Sequence, residues 1–160
     1  MVRVICLWFI VGVGVLQAGS ARLTSEVVAQ YGREVDRWAQ RLQEARKALK
    51  NGEGCQAQSL LTEFPSGAQA AEAGRLLTLA EFVCNGGRNM GAAGEAQAQY
   101  VQAASALQRR ESSTALYSLL VALNHETPQG QIKARNLMEA VFTLLGETDS
   151  LTQQYRPLVK

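Results

Sequence analysis

The sequence is poor in the residues that most metal sites, disulfide scaffolds and nucleic-acid interfaces need. It contains one histidine, three cysteines and three prolines, and aromatic residues make up only 6% of its 160 positions. One histidine cannot supply a multi-histidine metal site, and three cysteines are too few for a disulfide scaffold. With 16 basic and 14 acidic residues the chain lacks the basic excess of a dedicated nucleic-acid binder. At 47% apolar residues it is too hydrophobic to be disordered.

The sequence motifs of common catalytic and cofactor sites are also missing. The chain has no Gly-x-Ser-x-Gly, no Walker loop, no His-Glu-x-x-His and no Cys-x-x-Cys-His. The single histidine, His125, lies beside Glu126 between two helical patterns, which is typical of a residue that faces solvent or caps a helix. We therefore predict that the protein is not an enzyme and has no catalytic residues, metal ligands or bound cofactor.

The amino terminus has the layout of a secretory signal peptide. Arg3 precedes thirteen consecutive apolar or glycine residues at 4–16, and small residues follow Gln17. This pattern predicts a signal peptide over residues 1–20, cleaved near residues 18–21, and a single domain over residues 21–160. The apolar run is shorter than the roughly 20 residues that span a bilayer. We expect a periplasmic or secreted protein without a stable membrane span, and an uncleaved membrane anchor is the alternative.

Signal cleavage would remove Cys6 and leave Cys55 and Cys84. Two cysteines in an exported chain favour one disulfide bond. However, the helices predicted before and after residues 64–67 differ in length, which would offset the two cysteines by about 10 Å. A disulfide tolerates Cα separations of roughly 4.4–6.8 Å. The pair is therefore a candidate disulfide, and two separate buried thiols are the alternative.

Residues 25–50 show the clearest helical pattern. Apolar or small side chains recur at alternating spacings of three and four, at Val28, Tyr31, Val35, Trp38, Leu42, Ala45 and Leu49. This is one stripe of a helix about seven turns long. We expect the helices that follow to cover the stripe within the same chain. The regular seven-residue rhythm also fits a coiled-coil partner.

Helical periodicity continues to the carboxyl terminus, with no alternating apolar and polar run that would predict a strand. The predicted helices cover residues 55–64, 66–84 with Ser66 as cap, 95–110, 112–123, 128–145 and 150–155, with a loop at 85–94. Thr127 followed by Pro128 is a strong helix start, Gly146 a helix stop and Asp149 a cap. The chain is predicted to be all-α, with six or seven helices in antiparallel hairpins.

One side of the first helix is a candidate partner-binding face. Arg33, Arg37 and Arg41 recur every four residues, with Tyr31 and Trp38 nearby. A row of basic charge beside aromatic residues can meet an anionic partner. Glu34 and Asp36 interleave with this row, so a simple solvated surface is the alternative.

Residues 38–87 contain two helical patterns joined by a glycine turn. Gly52 is followed by the small residue Ala57, the large apolar residue Leu61 and then Pro65. This order resembles the turn glycine, small residue and large apolar residue of degenerate tetratricopeptide repeats in exported bacterial helical proteins. The matching positions of a following unit are Leu76, Leu79, Ala80, Val83 and Gly87. The first unit is one turn short, and no clear second helix follows Gly87. The resemblance implies tetratricopeptide-like packing, and an irregular helical bundle is the alternative.

Two functions fit this reading. The first is an exported, non-enzymatic adaptor or scaffold that binds a protein or peptide of the cell envelope or of a secretion-type assembly. The alternative is a small enzyme or a helical-bundle carrier of haem, lipid or metal. A groove lined by exposed aromatic residues would favour the adaptor, and an enclosed cavity at His125 would favour the carrier.

Overall fold

The computed structural model describes the backbone of residues 3–159 and the side chains of residues 26–159. This part of the chain forms seven α-helices and two short 3-10 helices, with no strand. The helices are α1 (Arg3–Lys50), α2 (Gly54–Leu61), α3 (Ala70–Cys84), α4 (Gly94–Gln108), α5 (Ser112–His125), α6 (Pro128–Leu145) and α7 (Ser150–Tyr155); the 3-10 helices are Arg88–Met90 and Arg156–Val159. The predicted all-α class, with six or seven helices, is confirmed.

The predicted signal peptide over residues 1–20 lies outside the residues whose side chains are described. Among the described residues, no helix is both long and apolar enough to cross a membrane. The chain divides into two compact units, residues 1–39 and 40–160. That division falls inside the domain predicted over residues 21–160.

The apolar stripe of α1 is buried only in its second half. Leu42, Ala45 and Leu49 are core residues of the second unit. In contrast, Val28 is 70% exposed, Tyr31 69% and Val35 46%. The expectation that the chain covers the whole stripe is therefore wrong, because periodicity identifies the side of a helix that favours burial but not what buries it.

In the second unit, α3, α4, α5 and α6 pack in a closed ring in which each helix contacts the next and α6 returns to α3. Helix α2 packs on the outside of α3. The ring encloses the core, where Phe82 of α3 meets Tyr100 of α4 edge to face with 6.2 Å between ring centres. An ion pair between Arg46 and Glu72 fastens the end of α1 to α3.

Most predicted helix ends are confirmed, and the exceptions follow from local geometry. Thr127 accepts a hydrogen bond from the Gly130 amide, Asp149 accepts one from Leu151, and Gly146 ends α6. Ser66 is not a cap, because α2 stops at Leu61 and α3 begins only at Ala70.

The turn glycines Gly52 and Gly87 are required by both conformation and packing. Their φ angles are +81° and +72°, in the left-handed region that side chains disfavour. A Cβ at Gly52 would lie 2.8 Å from the carbonyl carbon of Gln108, and one at Gly87 would lie 2.6 Å from that of Tyr100. The backbone of each turn therefore packs directly against the backbone of α4.

Candidate functional site

The Cys55–Cys84 disulfide joins the start of α2 to the end of α3. The two Cα atoms are 4.6 Å apart, within the range that a disulfide accepts. The expected offset of about 10 Å is absent because residues 62–69 are not helical. Eight residues in a non-helical connection can span up to roughly 26 Å, which is enough to compensate for the difference in length between α2 and α3.

Several further contacts gather at this end of α3. Gln108 of α4 donates its side-chain amide to the backbone carbonyl of Val83 at 3.0 Å. A Cβ on Gly54 would lie 2.7 Å from the backbone nitrogen of Cys84, so only glycine permits this approach of α2. The start of α2 and the ends of α3 and α4 thus form one fixed corner.

A surface cleft of about 750 Å³ opens beside this corner. Its walls come from the end of α3, the turn that follows and the second half of α4. The lining residues are Cys84, Asn85, Gly86, Arg88, Asn89, Val101, Ser105 and Gln108. Most of these side chains are polar, so the cleft differs from the aromatic-lined groove that the sequence analysis associated with an adaptor.

The polar lining suits a ligand that offers alternating hydrogen-bond donors and acceptors. Each asparagine or glutamine side chain carries an acceptor oxygen and a donor nitrogen, which is the complement of a peptide group. The amide of Asn85 already donates to the carbonyl of Glu81 at 2.8 Å, which fixes that side chain at the end of α3. Arg88 is exposed and supplies the cleft with a guanidinium that can pair with a carboxylate.

The predicted partner-binding face consists of residues that all lie on α1. Tyr31, Arg33 and Arg37 are exposed, whereas Trp38 and Arg41 are half-buried. The guanidinium of Arg37 lies 5.7 Å from the centre of the Trp38 ring, a cation–π distance. At about 100° per residue, Tyr31 and Arg33 lie on nearly opposite sides of the helix. The five residues thus spread over about 160° of the helix circumference, with the aromatic side chains towards one edge and Arg33 and Arg37 towards the other.

His125 ends α5 and is exposed. Its Nδ1 lies 3.7 Å from a carboxylate oxygen of Glu95, at the start of the antiparallel helix α4. The side chains of both residues are 45% or more exposed, so the pair contributes little to stability. No group of three or more histidine, cysteine or acidic side chains that could hold a metal ion occurs among the described residues.

Tyr100 is the largest buried polar side chain of the ring. Burial raises the pKa of its phenol, and the neighbouring Glu126 carboxylate raises it further. Glu126 acts on the phenol electrostatically, but the geometry completes no hydrogen bond to the hydroxyl within the described part of the chain. Helical spacing can indicate that such a position is buried, but it does not specify a partner for the hydroxyl.

Comparison with known proteins supports one family. Residues 88–158 match the family model described as Tetratricopeptide repeat. No curated protein and no solved structure matches the chain. The match covers α4 to α7, whereas the resemblance in the sequence was placed on residues 38–87. Helix α4, predicted over residues 95–110, therefore lies inside the matched segment and outside the segment to which the resemblance was assigned. The helical architecture and this match together support a tetratricopeptide-like helical repeat fold.

Proposed function

We propose that this protein is an exported adaptor that binds a peptide segment of another envelope protein in the cleft between α3 and α4. Tetratricopeptide repeats generally mediate protein–protein interaction, and they do so without catalytic residues. The observation that carries the proposal is the position of the cleft. Five of its lining residues, Arg88, Asn89, Val101, Ser105 and Gln108, belong to the segment that matches the repeat family.

The chemistry of the lining favours an extended peptide with an acidic side chain. The amides of Asn85, Asn89 and Gln108 can pair with peptide groups, and Arg88 can pair with a carboxylate. The Gln108–Val83 hydrogen bond joins the α4 wall to the α3 wall, and the disulfide fixes the end of α3 to α2. A preformed site loses less conformational entropy on binding.

Export is the second part of the proposal. It is supported by the signal-like pattern of residues 1–20 and by the disulfide, because disulfides persist in oxidising compartments. The mass of the intact, unreduced protein recovered from its host tests this part. We expect a chain that begins near residues 19–22 and lacks two hydrogens. A chain that carries two free thiols would contradict export, whereas a chain that retains residues 1–20 with the disulfide formed would indicate the uncleaved anchor.

Site-specific photo-crosslinking in the native host tests the binding site. A photoreactive amino acid replaces Asn89 in the cleft or, as a matched control, the exposed Asn124 of α5. We expect position 89 to give one discrete adduct with an envelope protein and position 124 to give none. Equal labelling at both positions, or labelling at neither, would refute the proposed site.

A further inference from the structure

The exposed half of the α1 stripe is not part of the proposed peptide-binding cleft between α3 and α4. It consists of Val27, Val28, Tyr31 and Val35, which are 65%, 70%, 69% and 46% exposed. Trp38 continues the stripe and is half-buried. Four large apolar side chains on two turns of one helix are more than scattered surface hydrophobics, and such a patch marks an interaction surface.

We infer that this stripe binds the same stripe of a second copy of the chain, forming a parallel, two-stranded dimer through α1. The inference does not rest on the proposed function, because the cleft between α3 and α4 is not involved.

The residue types along the stripe favour two parallel strands. In a heptad frame Val28 and Val35 occupy the a positions, and Tyr31 and Trp38 the d positions. β-Branched valine at a together with leucine at d favours two-stranded parallel coiled coils; here the valines occupy a, and aromatic residues take the place of leucine at d. The sequence spacing of three and four is maintained over the whole exposed segment.

The residues at the e and g positions beside the stripe distinguish a parallel dimer from an antiparallel one. In a parallel pair, Val27 and Glu34 at the g positions face Gly32 and Ala39 at the e positions of the other copy, which brings no like charges together. In an antiparallel pair with Tyr31 opposite Val35, Glu34 would face Glu34 of the other copy. Like charges at such positions are destabilising, so the charge pattern selects the parallel form.

Gly32 supplies an independent observation. Glycine inside a helix is less favourable than alanine, yet no contact among the described residues requires it here. A Cβ at this position would meet no other atom within 4 Å. Close packing of the α1 helix of a second copy would explain the glycine, because Gly32 leaves room for the Tyr31 ring of that copy.

The available area makes the dimer weak. From their exposed fractions, the four side chains present on the order of 450 Å² per copy, so two copies would bury about 900 Å². This lies at the lower end of specific interfaces. We therefore expect a dimer that forms at micromolar concentration and dissociates on dilution.

Single cysteine variants of the full chain test the arrangement, in a Cys6→Ser background that leaves the Cys55–Cys84 bond intact. Val28→Cys and Val35→Cys each place equivalent thiols face to face in the parallel dimer, so mild oxidation should give covalent dimers. Arg33→Cys lies on the opposite side of α1 and is the control. Equal dimer yields from Val35→Cys and Arg33→Cys would overturn the inference. Dimers that form only from a mixture of Val28→Cys and Trp38→Cys would overturn the parallel orientation.

Sedimentation velocity of the unmodified chain provides the second readout. We expect a monomer–dimer equilibrium whose midpoint concentration rises at least about tenfold in Val35→Lys. Circular dichroism would verify that this variant keeps its helices. A chain that stays monomeric up to millimolar concentration, or an α1 thiol that cross-links only to a different protein, would refute self-association.

Discussion

The side-chain amide of Gln108 donates a hydrogen bond to the backbone carbonyl of Val83, at 3.0 Å. This contact joins the ends of α3 and α4, one residue before the disulfide cysteine Cys84. The polar cleft opens on the same corner, where the disulfide and Gly54 fix the end of α3 to α2 and the Gln108–Val83 hydrogen bond joins α3 to α4. The proposed peptide binding requires this corner to be rigid.

The first prediction concerns the disulfide. The double variant Cys55→Ser, Cys84→Ser should lose about 3 kcal/mol of unfolding free energy, because the bond closes a loop of about 30 residues. That loss corresponds to a fall in Tm of about 10 °C. Thermal unfolding with and without reductant would measure it. If the double variant has the same Tm as the oxidised wild type, the bond contributes nothing to stability.

The second prediction uses two glycines with opposite surroundings. Gly52→Ala should cost about 2–4 kcal/mol, because it combines a positive φ with a clash against the backbone of Gln108. Gly74→Ala is the matched control. Gly74 lies inside α3 and has no other atom within 4 Å of an added Cβ, so alanine there should stabilise by about 0.5–1 kcal/mol. Chemical denaturation of both variants would reveal the contrast, and equal effects would contradict the packing of the turn on α4.

The third prediction concerns Tyr100 at alkaline pH. Its pKa is raised in the folded state above the ordinary value of 10.0, first by burial and then by Glu126. The phenol therefore remains protonated in the folded chain when it ionises in the unfolded chain. The stability it contributes is fully present below pH 10 and is lost as the pH rises towards the folded-state pKa, by up to about 1.4 kcal/mol per pH unit.

Unfolding of wild type and Tyr100→Phe between pH 7 and 11 would measure this effect. The phenylalanine variant should match or exceed wild type at pH 7, because it removes a buried hydroxyl without a hydrogen-bond partner in the described chain. The advantage of the variant should grow above pH 10. Identical pH profiles would show that Tyr100 titrates as it does in the unfolded state.

The fourth prediction concerns the cap of α6. Thr127 accepts a hydrogen bond from the Gly130 amide at 3.3 Å, and Pro128 occupies the first helical position. Thr127→Ala should cost about 1 kcal/mol. Thr148→Ala, at an exposed site in the turn before α7, is the control and should change stability by less than about 0.5 kcal/mol. Urea unfolding distinguishes the two, and equal losses would argue against the cap.

Local rules predicted most of the helices. Thr127, Gly146 and Asp149 act through the backbone groups next to them, so their roles could be read from sequence alone.

The predictions that were wrong concern features that depend on how the helices pack against one another. The exposure of Val28, Tyr31 and Val35 is set by what lies against α1, which periodicity does not specify. The Cys55–Cys84 distance depends on the length of the non-helical connection at 62–69. The cleft could not be anticipated, because its walls, near Asn89 and Gln108, are brought together only when the ends of α3 and α4 converge.

The central claim is that the cleft beside Gln108 binds a peptide segment of a partner protein. Calorimetric titration of the partner identified by cross-linking, against wild type and Arg88→Glu, tests it most directly. Arg110→Glu is the control, since Arg110 is an exposed arginine in the turn after α4 and does not line the cleft. The account predicts one partner bound per chain, an affinity at least about tenfold lower for Arg88→Glu and an unchanged affinity for Arg110→Glu. Equal affinities for wild type and Arg88→Glu would contradict it.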